Sequence, residues 1–183
     1  MKTAAITLSL VTLLAACGGN ENLYLIGTES GASEVRVSTR SIEVKEVTLP
    51  AYAAASEIAF QTEDGALKTV KGALWAEEPR AAVTRIIAER LDIDTTANAA
   101  AEPWPLLDGP DTTVTVRIDR MVARADQQFE LSGQFATSSM NGRDRLRRFT
   151  ILQPISDSAP GTIATATGAA LAQLARDIAS ALR

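Results

Sequence analysis

The 183-residue chain has no histidine and a single cysteine, Cys17. One thiol cannot close an internal disulfide, so no disulfide framework holds this protein together. Without imidazole, and with one thiol, zinc, haem and copper sites lose their usual ligands. The same gap removes the base of histidine-dependent triads and dyads. Ser132, Ser138 and Ser139 therefore have no base, and no G-x-S-x-G elbow is present. No Walker A loop occurs, so the chain supplies no ATPase of that type. Basic residues are not in excess either. The net charge of −4 opposes the counterion release on which general nucleic-acid binding depends. The expectation is a non-enzymatic protein with no metal and no dissociable cofactor.

Long apolar runs are equally scarce. Residues 3–14 (TAAITLSLVTLL) form an apolar stretch after Met1-Lys2. It is too short to cross a hydrocarbon core, which takes about 20 helical residues, and it has the size of a signal-peptide h-region. Leu14-Ala15-Ala16-Cys17-Gly18 follows and resembles the bacterial lipobox, in which two small residues precede the cysteine that receives the lipid. The expected mature chain starts at Cys17, leaving 183 − 16 = 167 residues. Its only prosthetic chemistry is covalent: a diacylglycerol and an N-acyl chain on Cys17. Two or three acyl chains, at about 0.8 kcal/mol per buried CH₂, make a stable anchor. Gly18 is not the aspartate associated with inner-membrane retention in Gram-negative lipoproteins, so the expected location is the periplasmic face of the outer membrane.

The division read from the chain is a signal peptide over 1–16, a lipidated tether over 17–22 and one domain over 23–183. Within the domain, residues 22–26 read as a first strand, and 35–49 alternate as one or two strands ended by Pro50. Asp64-Gly65 marks a hairpin turn between 58–61 and 66–70. Val83, Ile86, Ile87 and Leu91 recur at helical spacing after Pro79, with Arg80, Arg85, Glu89 and Arg90 assigned mostly to water. Residues 94–101 read as a loop. Three alternating strands are expected around 113–119, 129–135 and 145–152, the last two joined by a turn at Asn141-Gly142. A final helix over about 160–182 carries the stripe Ile163, Ala170, Leu171, Leu174, Ile178 and Leu182, with Gly168, Ala169 and Ala172 beside it. The order strands, helix, strands, helix implies an α+β fold: a mainly antiparallel sheet with both helices packed on one face.

The segments "LPAYAAASEIAF" (49–60), "EDGAL" (63–67), "ALWAEEPRAAVTRIIAERL" (73–91), "EPWP" (102–105) and "ALAQLARDIASAL" (170–182) stand in a familiar order. In this the chain resembles the ABC-type transport auxiliary lipoproteins, the PqiC/YmbA-like group, over roughly residues 22–182. The resemblance implies an outer-membrane lipoprotein facing the periplasm. Its implied partners are an MCE-domain protein and an ABC permease and ATPase, which together move phospholipid or other hydrophobic molecules between the membranes. Self-assembly into a ring is compatible with such a conduit. The alternative is a carrier or chaperone holding an acyl chain in its own pocket. The chain departs from the group where Tyr52 is followed by Ala53-Ala54-Ala55-Ser56-Glu57, and where Leu74-Trp75-Ala76-Glu77-Glu78-Pro79 replaces an Arg-Trp-Ala-Glu-Pro run.

Cys17 is the expected lipidation site. Tyr52, Trp75, Arg143, Arg145 and Arg147 are the candidate contacts for a partner or for lipid. Each also has a plainer structural role: a turn with a packed ring for Tyr52, helix-to-sheet packing for Trp75, and a charged edge strand that resists aggregation for the arginines. In an extended segment Arg145 and Arg147 share one face and Arg148 takes the other. Glu77-Glu78 suit the positive end of the following helix rather than a shared-proton pair.

Overall fold

The computed structural model describes residues 21–28, 34–140, 142 and 144–183. Eight strands and two helices follow one another as β1 (Asn22–Tyr24), β2 (Ser41–Val44), β3 (Glu57–Gln61), β4 (Leu67–Trp75), α1 (Pro79–Asp94), β5 (Asn98–Ala101), β6 (Thr112–Ala123), β7 (Gln128–Ser139), β8 (Arg145–Pro154) and α2 (Pro160–Ala181). All eight strands belong to one sheet.

The sheet is mixed, not mainly antiparallel as the sequence led one to expect. Four of its seven strand pairings are parallel: β1 with β4, β2 with β5, β2 with β6, and β3 with β6. The antiparallel pairings are the hairpins β3–β4, β6–β7 and β7–β8. Hairpins announce themselves through their turns. Parallel neighbours meet only after long connections, and the period-two pattern of a strand carries no direction.

Strand β6 is the spine. β7 runs along one side of it, while the other side is divided between β2, opposite residues 112–114, and β3, which meets it at Phe60↔Ala123. The β6–β7 register shifts between Ile118 and Arg120, opposite Gly133 and Ser132. A Cβ on Gly133 would stand 2.1 Å from the Arg117 carbonyl oxygen. Only glycine allows the two backbones to approach this closely at the bulge.

The helices touch each other and therefore share one face of the sheet, α1 over β2 and β5, and α2 over β7 and β8. Helix α1 starts at Pro79, with the Glu78 side chain accepting from the Ala81 N–H at 2.8 Å. All six residues of the expected α2 stripe are buried. Burying an aliphatic side chain of this size contributes about 1.5–3 kcal/mol, so Leu171, Leu174 and Ile178, each at 0% exposure, anchor α2 to the sheet. Gly168 lets the helix lie close to the chain leaving β1. The Gly27 N–H donates to the Ala164 carbonyl at 3.1 Å, and a Cβ on Gly168 would fall 1.8 Å from the Gly27 carbonyl oxygen.

Two local expectations are corrected. Residues 98–101 form strand β5 on the edge of β2 instead of belonging to a loop. Arg90 does not face water: it is buried with Asp94, its Nη2 2.7 Å from Asp94 Oδ1 and 2.6 Å from Oδ2. The helix also runs one turn further than its apolar stripe, so the i, i+4 partner lies on α1 itself.

Candidate functional site

Of the residues singled out in the sequence, Cys17 and Arg143 lie outside the described residues. The structure does not bring the others together. Trp75 ends β4 opposite Tyr24 of β1 and is 8% exposed. Its N–H donates to the Ser56 carbonyl at 2.8 Å, and the next residue, Ala76, donates to the Tyr24 carbonyl at 2.9 Å. The indole belongs to the core, at the end of the β1–β4 pairing.

Tyr52 sits in a turn whose first carbonyl, on Pro50, accepts from the N–H groups of both Ala53 and Ala54. Its ring packs against the core, and its hydroxyl accepts the Met121 N–H at 3.1 Å. That bond fills a gap on the divided side of β6, between Ile118, which donates to Thr48, and Ala123, which pairs with Phe60. The ring thus closes a seam in the sheet. Replacing Tyr52 by phenylalanine leaves the Met121 N–H without its acceptor and is expected to cost about 1–2 kcal/mol. Urea denaturation measures this, and a loss under about 0.5 kcal/mol would show that water replaces the hydroxyl.

Arg145 and Arg147 lie on β8, which among the described residues pairs only with β7 and so forms one edge of the sheet. The register Thr137↔Arg145 and Phe135↔Arg147 puts both on the face occupied by α2, where Phe135 and Phe149 are buried with ring centroids 6.4 Å apart. Arg148, opposite Gln134, points to the other face with the exposed Leu146 and Leu152. Among the described residues, Arg145, Arg147 and Arg148 make no ion pair. The arginines of and just after β6 do: Arg117 with Asp119, Arg120 with Glu130, and Arg124 with Asp126 and Glu130.

The sequence reading quoted Glu102-Pro103-Trp104-Pro105 for the family resemblance but placed no candidate contact in the loop over 102–111. It is tied down at Glu43, a 6%-exposed carboxylate on β2 that accepts the Trp104 N–H at 3.1 Å. Lys45 bridges Glu43 and Glu102 at 3.0 and 2.9 Å. The hydrogen bond from Lys45 is the main cause holding the Glu102 carboxyl below its ordinary range, and bonding to Glu102 and then Glu43 holds the Lys45 ammonium above its own. The Trp104 indole donates to the Asp108 carbonyl at 2.7 Å. Beyond this clamp Leu106 and Leu107 stand exposed. The one sequence signal for such a feature is a Leu-Leu pair without periodicity between Pro105 and Pro110.

Three open grooves border α2 among the described residues. One of about 380 Å³ has a mixed polar and apolar lining that includes Ser38, Thr39, Arg40, Asp111 and Arg145. Another, about 460 Å³, lies where β8 leads into α2, beside Pro154, Ile155 and Thr162. The third, about 340 Å³, lies beside Arg147, Arg148 and Asp177. No helix among the described residues is long and apolar enough to cross a membrane. Nor do the described residues hold a group of three or more His, Cys, Asp or Glu side chains suited to a metal ion.

Similar folds exist among solved structures. One, an uncharacterised protein, matches with a TM-score of 0.72 and 18% identity over 90% of this chain and 99% of its own. A Xanthomonas campestris protein assigned to the DUF330 family model matches with a TM-score of 0.68 and 16% identity, over 88% of this chain and 94% of its own. The PelC dodecamer from Paraburkholderia phytofirmans matches at 0.47 and 14% identity, over 82% and 95%. No curated protein matches this chain. The model of the family described as ABC-type transport auxiliary lipoprotein component matches residues 24–179, from the end of β1 almost to the end of α2. With seven of the eight strands, α1 and nearly all of α2 inside that span, the chain belongs to the ABC-type transport auxiliary lipoprotein family.

Proposed function

We propose that the protein is a non-enzymatic accessory subunit of an MCE/ABC-type intermembrane lipid-transport system, anchored at Cys17 to the periplasmic face of the outer membrane. The acyl anchor supplies location, the α+β domain supplies a protein-binding surface, and a partner ATPase supplies the energy. The observation that carries the reading is the family match over 24–179 directly downstream of a lipobox. Hydroxyls and charged side chains interrupt the 380 Å³ groove, and under the carrier reading the 460 Å³ groove beside Pro154 and Ile155 is where an acyl chain would be sought.

The test is in cells. Wild-type protein is expected to take up labelled palmitate, to fractionate with the outer membrane and to be crosslinked in intact envelopes to an MCE-domain protein. Cys17→Ala is expected to abolish the label and to leave an unlipidated precursor. Palmitate entering that variant sinks the anchor assignment. A purified domain that carries bound phospholipid and captures no MCE partner replaces docking with the carrier reading.

A further inference from the structure

We infer that the free edge of β8 is a strand-addition site for an extended, acidic segment of a partner protein. The inference rests on the docking role and specifies where docking takes place.

The sheet has three outer strands among the described residues: β1 with three residues, β5 with four and β8 with ten. At about 3.3 Å per residue β8 offers roughly 33 Å of edge. Its ladder to β7 runs from Gln128↔Pro154 to Thr137↔Arg145 without a register shift, so no bulge turns the edge aside. Proline occurs only at its last position, Pro154. A long, straight edge of this kind presents alternate N–H and C=O groups to any chain laid beside it.

Charge selects the occupant. From 144 to 154 the chain carries three arginines and one aspartate, Asp144, although the whole protein is at −4. Arg145, Arg147 and Arg148 are the arginines of the sheet left without an ion pair among the described residues. Asp177 of α2 lines the same groove as Arg147 and Arg148 but takes its hydrogen bond from Gln173. Period two then divides the site. The α2 side of the edge carries Arg145 and Arg147, and the outer side carries Leu146 at 67% and Leu152 at 48% exposure around Arg148. A complementary strand alternates carboxylate and aliphatic side chains, acids toward Arg145 and Arg147 and aliphatics toward Leu146 and Leu152.

The experiment uses the full lipidated chain in detergent and two labelled decapeptides, one alternating Glu and Val and the other Lys and Val. The Glu–Val peptide is expected to bind at least tenfold more tightly and to slow hydrogen exchange at backbone amides of 145–153. The variant Arg145→Glu/Arg147→Glu is expected to reverse that preference. Should that variant not fold, Arg145→Ala/Arg147→Ala is expected to lose the preference while keeping its circular dichroism. Equal binding of the two peptides, or β8 amides whose exchange does not change, overturns the proposal. Protection of β8 by self-association without peptide also overturns it, because a second copy then occupies the edge. Binding only to anionic vesicles likewise overturns it, in favour of a headgroup surface. Peptide binding by the purified chain does not depend on the cellular crosslink to an MCE protein, so the two readings fail separately.

Discussion

Replacing Asp94 with alanine is expected to lower the unfolding free energy by about 3–5 kcal/mol, the usual cost of removing one partner of a buried ion pair. Asp94 is 1% exposed and Arg90 5%, and the carboxylate receives both Nε and Nη2 of the guanidinium at 2.6–3.1 Å. Alanine at 94 takes both carboxylate contacts from a buried guanidinium at the point where α1 hands the chain to β5, one residue before the Val35↔Thr95 bridge. In a chain of this size each kcal/mol shifts the melting temperature by about 2–4 °C, so the expected fall is roughly 6–20 °C. The double variant Arg90→Met/Asp94→Leu is expected to recover most of the loss, since a matched apolar pair removes both desolvation penalties. Differential scanning calorimetry of the three proteins decides it. A single-variant loss below about 1 kcal/mol would mean that water reaches the pair.

The second large effect is expected at Gly168. A methyl group there would lie 1.8 Å from the Gly27 carbonyl oxygen and 2.5 Å from its carbon, both backbone atoms that no rotamer change can move. Overpacking a filled interior costs about 1–3 kcal/mol for a small addition, and more where backbone must shift. Gly168→Ala is expected to break the Gly27–Ala164 hydrogen bond and to lift residues 25–28 off α2, and Gly168→Val to do so more severely. Limited proteolysis near residues 25–34 reads this local release separately from global melting. An alanine variant with unchanged cleavage and stability would show that α2 can slide away from β1 at little cost.

These two sites show what was legible in the sequence and what was not. Strand and helix positions came from period: Val114, Val116 and Ile118 alternate, the α2 stripe recurs at three and four, and Asp64-Gly65 marks its hairpin with Gly65 at a φ of 85°. β5 did not, because Asn98-Ala99-Ala100-Ala101 has neither alternation nor a branched residue, and its place is decided by the vacant edge of β2. Strand direction was illegible for the same kind of reason, since four parallel pairings join segments far apart in the chain. Arg90 was read as solvated because a helical stripe sorts residues by polarity alone. Its partner lay four residues on, in what read as a loop. Tyr52 was visible as a residue of interest, but its bond crosses 69 positions to a backbone N–H that no side-chain motif announces. The alternation of Arg145, Leu146, Arg147 and Arg148 was legible at once. That β8 is an edge was only one reading of its arginines in the sequence, because edges are defined by what fails to pair.

The divided spine has a mechanical consequence. β1, nearest the tether, reaches β6 through β4 and β3, and the last link of that path is the single pair Phe60↔Ala123. Tension between a membrane-held N-terminus and a partner on β8 would have to cross that one rung if the sheet alone bore it. Helix α2 offers a parallel route, because it touches β1, β7 and β8 directly. It would act as a strut between the two ends of such a load, and Gly168 is the joint where the strut meets the chain leaving β1.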